Sequence, residues 1–198
     1  MKTTVKYLTA VLVSFLIAGT AFAQTTWNLD KSHSNVKFTV THLVISEVEG
    51  HFKTFNGTMT ASKPDFTDAK IDFSVDIASI STDNEQRDGH LKSDDFFNAE
   101  KFPVMTFKSV LMRKVSGNKY ELLGNLTIRD VTKPVKFTVV YGGTVKDPWG
   151  NTKAGFKATA TINRLEYGLK WNSLTEASGA VVGSEVNITL NVEMVQAK

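Results

Sequence analysis

Apolar residues return at every second position along nearly the whole chain after Gln24, and that alternation leaves room for little except β-strands with one buried face. Val36, Phe38 and Val40 alternate with Lys37, Thr39 and Thr41, and Ile71, Phe73, Val75 and Ile77 alternate with Asp72, Ser74 and Asp76. The pattern recurs at Tyr120, Leu122, Gly124, Leu126 and Ile128, at Val135, Phe137, Val139 and Tyr141, at Phe156, Ala158, Ala160 and Ile162, and at Val186, Ile188, Leu190 and Val192. Phe52 to Met59 and Val104 to Leu111 are less regular but rich in β-formers. The total is about eight strands, joined by turn residues at Ser116-Gly117-Asn118, Arg129-Asp130 and Asp147-Pro148-Trp149-Gly150-Asn151. A sheet of that many antiparallel strands has to manage its edges, by closing into a barrel or by pairing with a second sheet in a sandwich. Alternation alone does not separate the two.

One segment breaks the period. Thr82-Asp83-Asn84-Glu85 has the spacing of a capping box, and Asp83/Arg87 and Asp88/Lys92 stand four apart, which predicts a short helical segment around 83–95. Leu165 to Gly179 is a second irregular stretch. No repeat, low-complexity tract or linker divides 24–198, which is expected to be one domain.

Residues 1–23 have the three parts of a secretory signal peptide. Lys2 and Lys6 precede the apolar run Leu8 to Ala18, and Ala21-Phe22-Ala23 offers a small-x-small cleavage site. The apolar run is short for a span of about 30 Å of hydrocarbon. Cleavage after Ala23 is therefore expected, with no transmembrane segment left afterwards and with delivery to the periplasm or the medium. The formal charge of +3 falls to about +1 without Lys2 and Lys6. No cluster of Lys and Arg remains to follow a phosphate backbone, so nucleic acid is not an expected partner.

Signatures of catalysis are missing. The chain has no cysteine, no G-x-S-x-G elbow, no H-E-x-x-H and no glycine-rich loop opening a helix. Its four histidines, His33, His42, His51 and His90, show no local ligand spacing, so no metal site, cofactor or catalytic residue is expected. Thirteen phenylalanines against three tryptophans and four tyrosines make the apolar face broad and free of polar atoms. Such a face fits an ordinary packed core as well as it fits the wall of an apolar site.

Several blocks, in order, resemble the YceI-like family. They include Trp27-Asn28-Leu29-Asp30, His33-Ser34, His42-Leu43, Ala78-Ser79-Ile80-Ser81-Thr82 and Arg87-Asp88-Gly89-His90-Leu91-Lys92-Ser93-Asp94-Asp95-Phe96-Phe97. Phe102-Pro103, Gly124-Asn125-Leu126-Thr127-Ile128, Thr132-Lys133-Pro134-Val135, Ile162-Asn163-Arg164, Tyr167-Gly168-Leu169 and Val182-Gly183 continue the series over the rest of the chain. Asp130 stands where many relatives carry glycine, and aspartate tolerates a left-handed turn there.

The resemblance implies an extended, eight-stranded, antiparallel lipocalin-like β-barrel that holds a polyisoprenoid or similar long-chain amphiphile in the periplasm, for transport or storage, with no catalytic activity. The expected barrel lining is Phe38, Val40, Phe52, Phe73, Val75, Phe107, Leu122, Leu126, Phe137, Phe156, Ile162 and Ile188. At about 0.8 kcal/mol per buried methylene, one isoprene unit contributes about 3 to 4 kcal/mol, so a few units reach micromolar affinity without a hydrogen bond to the tail. Arg87, Asp88, His90 and His42 are the residues expected at a mouth that meets the head group. For Arg87 and Asp88 the competing reading is that they pin the short helix. An enzyme acting on such a lipid, or a ligand-free interaction module, are the rival functions, and a homodimer is compatible with the sequence.

Overall fold

The protein is described from a computed structural model covering residues 24–174 and 180–198, so the expected signal peptide lies outside the described residues. Eleven strand segments make one sheet: β1 (Thr25–Leu29), β2 (Asn35–His42), β3 (Ser46–Phe52), β4 (Phe55–Ala61), β5 (Lys70–Asp76), β6 (Ile80–Ser81), β7 (Val104–Ser116), β8 (Lys119–Ile128), β9 (Val131–Lys146), β10 (Thr152–Asn163) and β11 (Val182–Gln196). The helix α1 (Glu85–Lys92) lies between β6 and β7.

All pairings are antiparallel, and β1 pairs with both β4 and β11, which closes the sheet. β1 and β2 lie end to end along the same edge of β11, opposite Met194–Gln196 and Val182–Asn191 respectively. β3 and β4 continue each other in the same way, as do β5 and β6. The architecture is thus a closed eight-stranded up-and-down barrel, three of whose strands are broken once. Two breaks have the same local cause. Asp30 accepts a hydrogen bond from the Ser32 backbone N–H, and Asp76 accepts one from that of Ala78, each starting a short 3₁₀ turn between two extended segments. The third break, at Lys53-Thr54, splits the run expected from Phe52 to Met59.

Because the strands run up and down, the connections collect at two ends. The mouth end carries the turn after β2, the segment between β6 and β7 with α1, the turn after β8, and residues 164–174 with 180–181. The floor end carries residues 62–69, the turns after β7 and β9, and the C-terminus. α1 is shorter than the expected 83–95, and its N-cap is Asn84, whose side chain accepts from the Arg87 backbone N–H. Thr82 is buried and is held from below by Asp88, so the capping-box reading does not describe this helix. Neither Asp83/Arg87 nor Asp88/Lys92 forms an ion pair among the described residues. After β8 the left-handed residue is Arg129, at φ 56°, and not Asp130.

The inward face of the barrel is the main core, running from Trp27 and Met59 through Phe107, Leu122, Leu126 and Phe137 to Met194. At the floor Phe66 folds in from the 62–69 connection, with its ring 5.4 Å from Trp27, 5.6 Å from Tyr141 and 5.3 Å from Phe156. Tyr120 stands edge-on to Tyr141. These rings close that end.

Candidate functional site

The barrel encloses a cavity of about 140 Å³ with a wall almost entirely of carbon. Of the expected lining residues, Phe73, Val75, Phe107, Leu122, Leu126, Phe137, Phe156 and Ile188 face it. Phe38 and Val40 lie further up the same strand and face a second space, of about 380 Å³, at the mouth. Phe52 and Ile162 are buried but border neither space. Phe52 sits 5.8 Å from the Phe38 ring and 6.2 Å from that of Phe97. Phe38, Phe52 and Phe97 thus form an aromatic group next to the mouth space.

The expected lining left out several wall residues. Met59, Met105, Met112 and Met194 join Val36, Ile71, Ile128, Val139, Leu190 and Val192 around the chamber. Parity on neighbouring strands would have found most of them. Three glycines matter for the space itself. A methyl group at Gly57 would lie 2.6 Å from the Phe73 ring, one at Gly124 2.3 Å from Phe107, and one at Gly50 2.2 Å from Phe38. Each ring occupies the space that a side chain at the glycine would need.

At the mouth, Arg87, His90 and His42 line the space together with Trp171, Phe96, Leu91 and Val182. Arg87 donates from Nε to the Thr82 hydroxyl (2.7 Å) and from Nη2 to the Thr82 carbonyl (2.8 Å). Asp88 does not line the mouth. It accepts from the Thr82 backbone N–H and hydroxyl, at 2.8 and 2.6 Å. These two side chains therefore tie α1 to Thr82, the residue that follows β6, and Arg87 also borders the mouth. The His90 ring contacts Asp95 through Nε2 (2.9 Å) and stands edge-on to Phe96 and Trp171.

Two further arginines hold this end together. Arg164 is 3 % exposed, and its guanidinium donates to the carbonyls of Gly183, Leu169, Trp171 and Val182. Burial pulls its pKa down from the ordinary value. Arg129 donates to the carbonyls of Asp94, Phe96 and Gly168 and pairs with the Asp94 carboxylate (2.8 Å). The Asn98 amide and then Arg129 hold the Asp94 carboxyl below its usual range. Tyr167, buried beside them, is pushed up to about 12, mainly by burial. An arginine in a polar stretch of sequence reads as surface, and only the tertiary structure shows these two as staples.

A metal-like grouping does exist among the described residues, outside the barrel at the β1–β2 break: Asp30, His33 and Glu193. The Lys153 ammonium already occupies it, 3.0 Å from Asp30 and 2.7 Å from Glu193. A cation bound there would have to displace that ammonium, so these residues make an ion-pair cluster that ties the break to β10 and β11.

A closed antiparallel barrel with an apolar chamber, a floor packed with rings and a mouth stapled by arginines has the architecture of a lipocalin-like barrel. The YceI-like domain model matches residues 27–194, and the chain belongs to that family. The UPF0312 protein SA2479 of Staphylococcus aureus is 35% identical over 170 residues, covering 85% of this chain and 96% of its own. The crystal structure of the Campylobacter jejuni YCEI protein matches with a TM-score of 0.69 at 34% identity, over 86% of this chain and 97% of that one. A polyisoprenoid binding domain from Saccharophagus degradans, implicated in plant cell wall breakdown, has a TM-score of 0.62 over 86% of this chain and 98% of its own. At 14% identity that last likeness concerns the fold alone. No helix among the described residues is long and apolar enough to cross a membrane.

Proposed function

We propose that the protein binds a polyisoprenoid or a similar long-chain amphiphile, tail in the chamber and head at the mouth, and carries or stores it in the periplasm. The observation behind this reading is the almost wholly carbon-walled chamber, which offers a ligand no hydrogen bond and so selects an apolar tail. The polyisoprenoid-binding neighbour of the same fold and the expected signal peptide support the ligand class and the compartment. The chamber's size limits the fit. It is close to the engineered cavity of about 150 Å³ that takes up benzene, so about one prenyl unit enters without rearrangement. A longer tail has to swing Phe38, Phe52 and Phe97 aside and continue into the mouth space. No catalytic role is assigned: among the described residues, Arg87 and Asp88 are engaged with Thr82 and His90 with Asp95.

Native mass spectrometry of protein purified from its own host tests the proposal. The expected result is a one-to-one complex that releases a prenyl lipid on organic extraction. A uniformly ligand-free mass, with nothing extracted, would leave a packed envelope module as the function.

A further inference from the structure

The tip of the β2–β3 hairpin at the mouth exposes three consecutive apolar residues. Leu43, Val44 and Ile45 follow one another there, 38, 68 and 85 % exposed. Leu174, 62 % exposed, lies in the adjoining connection. That connection is joined to the tip, since the Leu43 N–H donates to the Val181 carbonyl and Leu174 pairs with Ala180. Immediately behind, His42, Val181 and Val182 line the mouth.

The tip is also strained. Leu43 and Val44 have φ of 51° and 66°, positions where a turn of this kind favours asparagine and glycine. A β-branched residue with positive φ is a genuine outlier. Val44 is 68 % exposed, so among the described residues folding gains little from its side chain. Charge does not explain it either, because no Lys or Arg lies between Phe38 and Phe52 or between Trp171 and Val192.

We propose that this tip inserts into the interfacial layer of a lipid bilayer and sets the mouth against it. The absence of basic residues points to apolar insertion and not to attraction by anionic head groups. What passes between bilayer and barrel rests on the lipid-carrier reading above, but the insertion does not. A ligand that partitions into membranes would then enter through the mouth without crossing water.

The test is flotation of the exported protein with unilamellar phosphatidylcholine vesicles at low salt and at 0.5 M NaCl. The comparison is Val44→Asn combined with Ile45→Ser, a pair that leaves the mouth-lining residues in place and gives position 44 a residue that tolerates positive φ. The expected result is binding that persists at high salt and falls about tenfold or more in the variant, with no drop in its melting temperature. Equal partition of the two proteins, or loss of binding at high salt, overturns the proposal. So does a variant that only dissociates a dimer and floats as the parent does, since the tip would then be a contact between copies. Loading with a prenol from detergent micelles separates this from the carrier reading. Both proteins should load equally, and a failure of both would count against the carrier and leave the docking result standing.

Discussion

At the floor, Trp27, Phe66, Tyr141, Phe156 and Tyr120 close the barrel with ring against ring, whereas at the mouth Arg87, Arg129 and Arg164 hold loops through main-chain carbonyls around open space. Rings pack by removing apolar area from water and need no fixed partner, so they seal. Guanidinium groups satisfy several carbonyls at once and can hold irregular backbone in place without filling the centre. One end of the barrel is thus made to exclude, and the other to stay shaped while remaining open.

The sharpest way to break this contrast is to remove one ring from the floor. Phe66→Ala should cost about 3–5 kcal/mol of stability, because the ring is 3 % exposed and meets three others. Denaturant unfolding reads this directly, and a loss under about 1 kcal/mol would mean the floor is not a sealed plug. At the mouth the matching change is Arg164→Met, which keeps the length and loses the donors. It should cost about 3 kcal/mol, since four carbonyls lose a partner and some relax toward water. Unlike the floor variant, it should also speed ligand release, measured by exchange against a fluorescent prenyl analogue. Faster release in the floor variant alone would reverse the assignment of the two ends.

Much of the barrel wall was legible in the sequence, and Arg87, His90 and His42 stand at the mouth space, but Phe66 at the floor and the arginine staples at the mouth were not read. Alternation around Leu122, Phe137 and Ile188 reports directly which side chains face inward, because period two is the geometry of a strand. The breaks at Asp30 and Asp76 were not read, although an aspartate accepting from the backbone N–H two residues on is a local signal. The glycine–phenylalanine contacts depend on strand register, which no single strand contains. Arg129 and Arg164 were invisible for the opposite reason from the phenylalanines. Their burial follows from loops that come together only after the barrel closes, and their residue type argues for surface.

Gly57→Ala probes the chamber between the two ends. The added methyl would meet the Phe73 ring at 2.6 Å and push it toward the centre, for about 1–3 kcal/mol of overpacking and a smaller ligand capacity. Loading with prenols of increasing length should fail at a shorter chain than in the parent, and an unchanged length limit would argue that Phe73 has somewhere else to go. A weaker effect is expected at the β1–β2 break, where Asp30 is held well below its usual range by the Ser32 hydroxyl, with His33 and Lys153 adding to it. A depressed carboxylate contributes stability above its unfolded pKa of about 4, and that contribution fades as pH falls below it. Asp30→Asn should therefore be less stable than the parent at neutral pH and converge with it below pH 4, at either end of the barrel's ligand occupancy. A constant gap down to acid pH would place the effect in the turn geometry and not in the charge.

The smallest effect expected carries the opposite sign. Val44→Asn alone should leave stability unchanged or raise it by about 1 kcal/mol or less, because asparagine accepts the left-handed backbone that valine resists. The same kind of test at the floor runs the other way. Phe66 also has positive φ, at 59°, but its ring is buried among three others, so Phe66→Asn relieves backbone strain and loses far more in packing. Strain at the floor is offset by the contacts it makes possible, while the Val44 side chain at the mouth tip is 68 % exposed and gains far less from packing. Thermal unfolding of the two variants side by side measures that difference, and a destabilised Val44→Asn would show that the tip is held by packing after all.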